Sequence, residues 1–338
     1  MTPVDPRILS ASPAAIEAAA AALAAGKIVA FPTETVYGLG GDAGNDDAVR
    51  AIFAAKQRPA DHPVIVHLAD AAHVDHWARE IPEGARRLAA SFWPGALSLI
   101  LPRSPLASDL VTGGQDSVGL RVPSHPVAMA LLEAFSRKGG RGVAAPSANR
   151  FGRVSPTEAP HVAEDFGAAV SMILDGGHCI VGIESTIVAF TGPSPVLLRP
   201  GGVPVEAIAA VLGFMPLPPS TGAPRASGTL ASHYATRTQA FLVEPDAMRT
   251  EVECRIERDE RVAVLARLVR KPEDFQGRWL QAPVEATAYA HELYANLREL
   301  DRAGADAILI EALPPGDAWI AVVDRVTRAT HGTVDDRD

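Results

Sequence analysis

The feature that most constrains the fold is an alternation of short apolar runs with amphipathic stretches over the first two-thirds of the chain. Runs such as Leu97 to Leu101 and Val118 to Val122 have the length and bounding residues of buried strands. Stretches such as Asp46 to Gln57 place apolar residues at helical spacing. Interspersed strands and helices predict an α/β domain, although spacing leaves open whether its sheet is parallel or mixed.

The same patterns predict the other elements of this region. The remaining strands are predicted at Lys27 to Phe31, Pro63 to Leu68, Gly142 to Ala145, Ser171 to Leu174, Ser185 to Phe190 and Pro195 to Leu198. The remaining helices are predicted from Pro13 to a stop at Gly26, with Ser12 as the cap, and at Glu83 to Phe92, Pro126 to Arg137, Pro156 to Phe166 and Pro204 to Leu212.

The composition changes after residue 212, where Pro, Gly, Ser and Thr dominate from Phe214 to Thr229. Such a segment has little to bury and is typical of a linker. Beyond it, strand patterns at 239–243, 262–265 and 307–311 and an amphipathic helix at 286–303 predict a second α/β domain. We therefore divide the chain into a first domain (1–212), a linker (213–236) and a second domain (237–338).

Charge and cysteine content exclude several classes of protein. The 338 residues carry 31 Lys and Arg against 40 Asp and Glu, a net charge of -9, which argues against a surface built to grip nucleic acid. The two cysteines, Cys179 and Cys254, are too far apart for a thiolate zinc motif and favour a reducing compartment. No apolar run approaches the roughly 20 residues that span a bilayer, so we expect a cytoplasmic protein.

A polar, glycine-rich segment follows the first long strand. Thr33, Thr35 and Tyr37 offer neutral hydrogen-bonding groups there, and the glycines allow a ligand to approach the backbone. The segment also fits a simple tight turn. A P-loop is disfavoured, since no Walker A sequence occurs.

Three basic residues lie beside predicted strands. Lys56 and Arg58 end a helix, where they either complement its dipole or form a clamp for clustered phosphates. Arg121 lies on a short apolar strand, where a charge requires either an acidic partner or an anionic ligand. Both pairs of alternatives stay open at this point.

Hydroxyl, amide and imidazole groups follow other strands. Ser147 and Asn149 end one strand, and Ser155 lies in the next polar turn; each could be a turn former or could donate to phosphate or sugar oxygens. Ser185 begins a strand and Arg199 ends the next one. The histidines His62, His67, His73 and His76 do not favour a metal site at this spacing.

Together these motifs resemble a known family. PTETVYGLG, KQRP, HPVIVHL, WPGALSLIL, VGLRVP, PSANRFG, IESTIV and LLRPGG, in that order, are similar to the YrdC-like domain of the threonylcarbamoyl-AMP synthases. The linker sequence SHYA and the tail ELYANLRELDRAGADAILIEALPP resemble the long, two-domain form of that family. The resemblance implies a YrdC-like domain with a twisted mixed sheet around a concave site and a smaller Rossmann-like second domain.

The resemblance also implies a reaction. L-threonine, bicarbonate or CO2 and ATP would give L-threonylcarbamoyl-AMP and diphosphate, the first step towards threonylcarbamoyladenosine in tRNA. Mg2+ is the expected companion of ATP, with no metal ligand assigned to a protein side chain. We expect the product to pass to the tRNA threonylcarbamoyl transferase complex, with weak or indirect tRNA contact and no membrane partner.

Matching by position implies a site. Catalytic roles fall on Lys56, Arg58, Ser147 and Asn149. Contacts with ATP fall on Lys56, Arg58, His62, Ser117, Ser147, Ser155, Arg199 and Tyr234. Contacts with threonine fall on Thr35, His67, Arg121 and Ser185. The chain departs from the family at His62, where Asn commonly precedes Pro. It departs again at Leu230 to Ser232, where a basic residue often precedes the His of the linker.

Two other functions compete with this hypothesis. A carbamoyl-transfer domain like that of hydrogenase maturation factors is disfavoured, since no acylphosphatase-like region or zinc-finger cysteines precede the domain. An RNA-binding module on a YrdC-like fold is disfavoured by the net acidic charge.

Overall fold

The computed structural model describes residues 5–229 and 233–331, so that Leu230 to Ser232 lie outside the described residues. The chain divides into two compact units. The first consists of Met1–Phe151 with Pro156–Thr229, and the second of Gly152–Ser155 with Leu230–Asp338. Over the described ranges, no helix is both long enough and apolar enough to cross a membrane.

The first unit is built on one ten-stranded sheet flanked by helices. Its strands are Ile8–Ser10 (β1), Val29–Phe31 (β2), Gly38–Asp42 (β3), Ile65–His67 (β4), Leu97–Pro102 (β5), Ser117–Arg121 (β6), Val143–Ala144 (β7), Ile173–Asp175 (β8), Thr186–Ala189 (β9) and Val196–Arg199 (β10). Its α-helices are Pro13–Ala24 (α1), Asp46–Lys56 (α2), Val74–Trp77 (α3), Glu83–Phe92 (α4), Asp109–Thr112 (α5), Pro126–Arg137 (α6), Ala159–Phe166 (α7) and Val205–Leu212 (α8).

The sheet is mixed, as the family resemblance implies. The strand order is β1-β8-β2-β3-β7-β4-β6-β5-β9-β10. Strands β4 and β6 run parallel in a register that places His67 beside Arg121, while β7 and β5 flank them antiparallel. The centre of the sheet therefore brings together two side chains that are far apart in sequence.

Local sequence explains where the main helices begin and end. Ser12 accepts a hydrogen bond from the backbone of Ala15 at 3.2 Å, and Pro13 occupies the first turn of α1. The α2 helix is capped by Asn45 and ends where Gln57 adopts a left-handed conformation with φ of 55°. This end fixes the direction in which Lys56 and Arg58 leave the helix.

The glycine-rich segment after Phe31 differs from its predicted form. The polar turn predicted after Phe31 is shorter than expected, because Gly38–Asp42 pairs as strand β3 with β2 and β7. A Cβ atom at Gly40 would lie 2.6 Å from the Phe31 ring and 2.8 Å from Val143 Cγ1. Glycine thus serves close strand packing here, which overrides its low intrinsic strand propensity.

The strands of the second unit are Ala240–Val243 (β11), Val262–Ala266 (β12), Trp279–Gln281 (β13) and Ala307–Glu311 (β14). They form a wholly parallel sheet in the order β11-β14-β12-β13. Glu311 ends β14 fully buried, and its carboxylate accepts hydrogen bonds from the backbone of Arg267, Leu268 and Val269, which fixes the loop after β12. The α-helices of this unit are Met248–Glu257 (α9), Ala286–Asp301 (α10) and Ile320–Thr330 (α11). A parallel sheet of this kind agrees with the expected Rossmann-like second domain.

Candidate active site

The turn after β2 is closed by its own threonines. Thr33 Oγ1 accepts hydrogen bonds from the backbone N–H groups of Thr35 and Val36, each at 3.2 Å. The two threonine hydroxyls lie 2.8 Å apart. This turn holds the buried Thr35 hydroxyl in one orientation.

Arg121 meets this turn from the end of β6. Its Nη1 donates to Thr35 Oγ1 at 2.9 Å, its Nε donates to the Gly95 carbonyl at 3.1 Å, and its Nη2 donates to the Glu34 carboxylate. Glu34 also accepts a hydrogen bond from the backbone of Ser124 at 3.0 Å. The structure thus supplies the acidic partner that was one of the two alternatives for Arg121.

The ionisation of Glu34 follows from this environment. Burial by itself raises the pKa of Glu34, but the charge of Arg121 and the hydrogen bonds from Arg121 and Ser124 lower it further than burial raises it. Its net pKa lies below the ordinary value, so Glu34 is ionised at neutral pH. Glu34 was not predicted as a site residue, although an acidic residue in an otherwise neutral turn was the available signal in the sequence.

His67 lies beside Arg121 as a neutral imidazole. Burial, and next the positive charge of Arg121, lowers the pKa of His67 to about 3. Its ring packs edge-on against Phe31, with 6.3 Å between the centroids, and its buried Nδ1 has no hydrogen-bond partner within the described residues. His67 can therefore offer an uncharged polar atom to a ligand.

Lys56 is fully buried at the end of α2, where it holds the turn after β7. Its Nζ donates to the carbonyls of Ser147, at 2.6 Å, and of Asn149. Burial, and next the charge of Arg58, lowers the pKa of Lys56 well below its ordinary value. Two of the three ammonium N–H bonds thus go to the turn, which leaves one for a ligand.

The turns after β2 and β7 are joined by their backbones. Tyr37 accepts from the N–H of Ala148 at 2.7 Å, and Pro146 accepts from the N–H of Leu39 at 2.9 Å. Ser147 is therefore tied to Lys56 on one side and to the threonine turn on the other. These contacts bring three of the predicted motifs into one continuous cluster.

Arg58 is a buried cation with donors to spare. Its Nη2 donates to the Pro63 carbonyl at 2.8 Å and to Ser227 Oγ at 3.2 Å, while its buried Nε has no partner in the described ranges. Burial lowers the pKa of Arg58 to about 10, so it stays charged at neutral pH. A buried charge with an unused donor fits an anionic ligand.

His62 lies next to Arg58. The His62 ring packs edge-on against Phe151, with 5.3 Å between centroids, and the Arg58 guanidinium lies 5.8 Å from the same ring. Burial, and next the charge of Arg58, lowers the pKa of His62. His62, where this chain has His in place of the usual Asn, therefore lies beside the predicted phosphate clamp of Lys56 and Arg58.

Arg199 ends β10 at a register shift and contacts the start of β9. Its Nη2 and Nε donate to the Ser185 carbonyl at 2.8 and 3.2 Å, and its Nη1 donates to the Ser227 carbonyl at 2.8 Å. The Ser185 hydroxyl lies 2.8 Å from that of Ser98 and accepts from Arg199 at 3.2 Å. Ser98, a lone hydroxyl in an apolar strand, was not assigned from sequence.

The remaining predicted residues fall in two places. Ser117 is buried at the start of β6, on the same face as Arg121 because strand side chains alternate. Ser155 and Tyr234 belong to the second unit, where the Tyr234 ring stacks on Tyr294 at 5.5 Å. Their predicted contacts with ATP stay predictions.

Among the described residues, no group of three or more His, Cys, Asp or Glu side chains could hold a metal ion.

The first unit has the fold of the YrdC-like class of α/β domains, with a mixed sheet that carries buried cations and neutral hydroxyls. The family model described as Telomere recombination, for the Sua5, YciO and YrdC proteins, matches residues 21–201. The model of the threonylcarbamoyl-AMP synthase C-terminal domain matches residues 203–331. The chain belongs to the threonylcarbamoyl-AMP synthase family, which confirms the resemblance seen in the sequence.

Individual relatives agree over nearly the whole chain. The threonylcarbamoyl-AMP synthase of Pyrococcus abyssi is 41% identical over 326 residues, covering 93% of this chain and 94% of that protein. The Bacillus subtilis synthase is 39% identical over 336 residues and is covered to 96%. A crystal structure of P. abyssi Sua5 complexed with L-threonine superposes with a TM-score of 0.87 at 38% identity, covering 96% of both chains. These relatives favour the synthase over the RNA-binding and carbamoyl-transfer alternatives.

Proposed function

We propose that this chain converts L-threonine, bicarbonate or CO2 and ATP into L-threonylcarbamoyl-AMP and diphosphate. The observation that carries the proposal is the buried Arg58, whose Nε has no partner in the described ranges. Hydrogen bonds through Ser227 join Arg58 to Arg199, and Arg58 lies close enough to Lys56 for its charge to lower the pKa of Lys56. Such a cluster suits an anionic ligand with several charged oxygens, as ATP has.

Threonine would bind at the other end of the cluster, around Arg121. Three contacts hold the guanidinium in place and use one N–H of each nitrogen, which leaves two N–H bonds for the substrate carboxylate. Glu34 offsets part of the Arg121 charge and keeps the group in one orientation. Thr35, the neutral His67 and Ser185 would provide the uncharged contacts.

The chemistry requires two bond-forming steps. The deprotonated threonine nitrogen attacks the carbon of CO2 to give a carbamate, and the amine proton goes to solvent. A carbamate oxygen then attacks the α-phosphorus of ATP; the bond between that phosphorus and the bridging oxygen to the β-phosphate breaks, and diphosphate leaves. The described cluster supplies positioning and positive charge, which are the main contributions that proteins make to transfers at phosphorus.

Several residues would share the ATP site. Arg58 and Arg199 would contact phosphate oxygens, and Lys56 would fix the turn that presents Ser147 and Asn149. His62 and Ser117 would complete the contacts to ATP within the first unit, and the contacts predicted for Ser155 and Tyr234 stay predictions. Mg2+ would accompany ATP through the phosphate oxygens, which is its usual mode with nucleotides.

The product has a reactive bond between a carbamate and a phosphate, so we further propose that it passes directly to a tRNA threonylcarbamoyl transferase in the cytoplasm. The net charge of -9 supports an indirect contact with tRNA.

The test of this function is diphosphate release with ATP and bicarbonate, measured with and without L-threonine. We expect release to depend on L-threonine, and L-serine at the same concentration is the matched control substrate. Release that is independent of threonine would contradict the proposal.

A further inference from the structure

The segment that sequence analysis assigned to the linker packs on the first unit. The backbone N–H of Arg225 donates to Gln115 Oε1 at 2.7 Å, and Gln115 Nε2 donates back to the Arg225 carbonyl at 3.2 Å. Ala226 is buried in an apolar cluster that includes Ile65 and Ile100. The chain just before Ser227 is thus held on the first unit, and we name residues 223–229 the strap.

Ser227 contacts two basic residues of the candidate site through different atoms. Its hydroxyl donates to the Pro63 carbonyl at 3.0 Å and accepts from Arg58 Nη2 at 3.2 Å. Its backbone carbonyl accepts from Arg199 Nη1 at 2.8 Å. One residue of the strap therefore joins the guanidinium group that follows α2 to the one that ends β10.

These contacts restrict how Arg58 can be oriented. An arginine side chain loses considerable rotamer entropy when it is fixed, and an anchor that is formed before binding reduces that cost. Pro63 and Ser227 both contact Nη2, so the Nε edge of the fork stays available to a ligand. Without the Ser227 hydroxyl, Nη2 keeps only the Pro63 carbonyl, and the guanidinium plane can turn about that single contact.

We propose that Ser227 is a positioning residue that orients Arg58, and through its carbonyl Arg199, towards the phosphates of ATP. The inference rests on the proposed function, because it assigns to the strap a part in the same ATP site. It differs from the ATP contact predicted for Tyr234, since the Ser227 contacts lie wholly within the first unit.

The test compares ATP binding with threonine binding. Ser227→Ala removes the hydroxyl but leaves the carbonyl contact to Arg199, so we expect about tenfold weaker ATP binding by calorimetry, the usual size for a hydrogen bond to a charged group. We expect the Kd for L-threonine to change less than twofold. Ser227→Thr keeps a hydroxyl and should restore most of the ATP affinity, while Ser220→Ala, at an exposed serine just before the strap, should match the wild type.

A double-mutant cycle with Arg58→Ala separates positioning from a general structural effect. If Ser227 acts through Arg58, its replacement should have no further effect on ATP binding once Arg58 is absent. An equal loss in both backgrounds, or equal losses of ATP and threonine binding, would overturn the inference. This inference alone would be overturned if the wild-type protein binds ATP and requires threonine but the Ser227→Ala variant behaves in the same way. The proposed function would be overturned if the wild-type protein shows no threonine-dependent release of diphosphate.

Discussion

Arg121 and Glu34 form a buried ion pair, with side-chain exposures of 5% and 7%, at the point where the turn after β2 meets the end of β6. The pair leaves Arg121 with unused N–H bonds while it holds the guanidinium still. An acidic partner and an anionic ligand were alternatives in the sequence. The geometry allows both, because Glu34, Thr35 and Gly95 each take one N–H bond of the guanidinium and two N–H bonds remain within the described residues.

Replacing Glu34 should destabilise the first unit strongly. Glu34→Ala leaves the Arg121 charge buried without its acidic partner, a change that costs roughly 3–5 kcal/mol of unfolding free energy. Urea unfolding followed by circular dichroism measures it. Glu17→Ala, which removes an exposed partner of Arg137, is the matched control and should change stability little. Equal stability of the Glu34→Ala variant and the wild type would show that the pair does not stabilise the fold.

The neutral state of His67 predicts a pH dependence of stability. The folded-state pKa is about 3 and the ordinary value is 6.5, so between these values the unfolded chain binds a proton that the folded chain does not. The contribution of the neutral His67 to the free energy of unfolding is therefore fully present above about pH 6.5, and it is lost as the pH is lowered towards 3. His67→Gln removes this contribution, and the stability difference between variant and wild type should change over that interval. Parallel stability curves for the two proteins from pH 7.5 to 5 would contradict the assignment.

Local patterns predicted most of the framework, because hydrophobic periodicity is a property of neighbouring residues. The helices Glu83–Phe92 and Pro126–Arg137 and the strand at Leu97 begin where the sequence indicates. The strand at Gly38–Asp42 escaped prediction, since its reason is the close approach of Phe31 and Val143 rather than its own propensity.

The site was predictable where residues lie at strand ends in recognisable motifs, and not where a contact joins distant segments. Lys56, Arg58 and Ser147 come together as the motifs indicate, although two Lys56 donors serve the backbone. Nothing local marks Ser227, 169 residues from Arg58, as its partner. Ser98 is likewise defined only by the pairing of β5 with β9.

Arg58 should be needed for turnover and not for folding. Arg58→Ala removes a buried positive charge from the phosphate end of the cluster, and we expect at least a tenfold lower kcat/KM for ATP. Diphosphate release at varied ATP measures it, and an unchanged thermal midpoint confirms folding. Arg50→Ala is the matched control, because Arg50 lies on α2 exposed and pairs with Asp47 on the surface. Wild-type turnover in the Arg58→Ala variant would remove the proposed clamp.

Lys56 should affect both folding and turnover, because its ammonium group donates to two backbone carbonyls. Lys56→Met keeps the length of the side chain but leaves the Ser147 and Asn149 carbonyls without this donor, at roughly 1–3 kcal/mol for each buried acceptor that stays unsatisfied. We expect a lower thermal midpoint together with at least tenfold lower turnover, whereas the exposed Lys27→Met control should change neither. If Lys56 served only as a charge for phosphate, its removal would relieve the cost of burying an ammonium group. Turnover would then fall while the thermal midpoint stayed constant or rose, and that result would contradict the role of Lys56 in holding the turn.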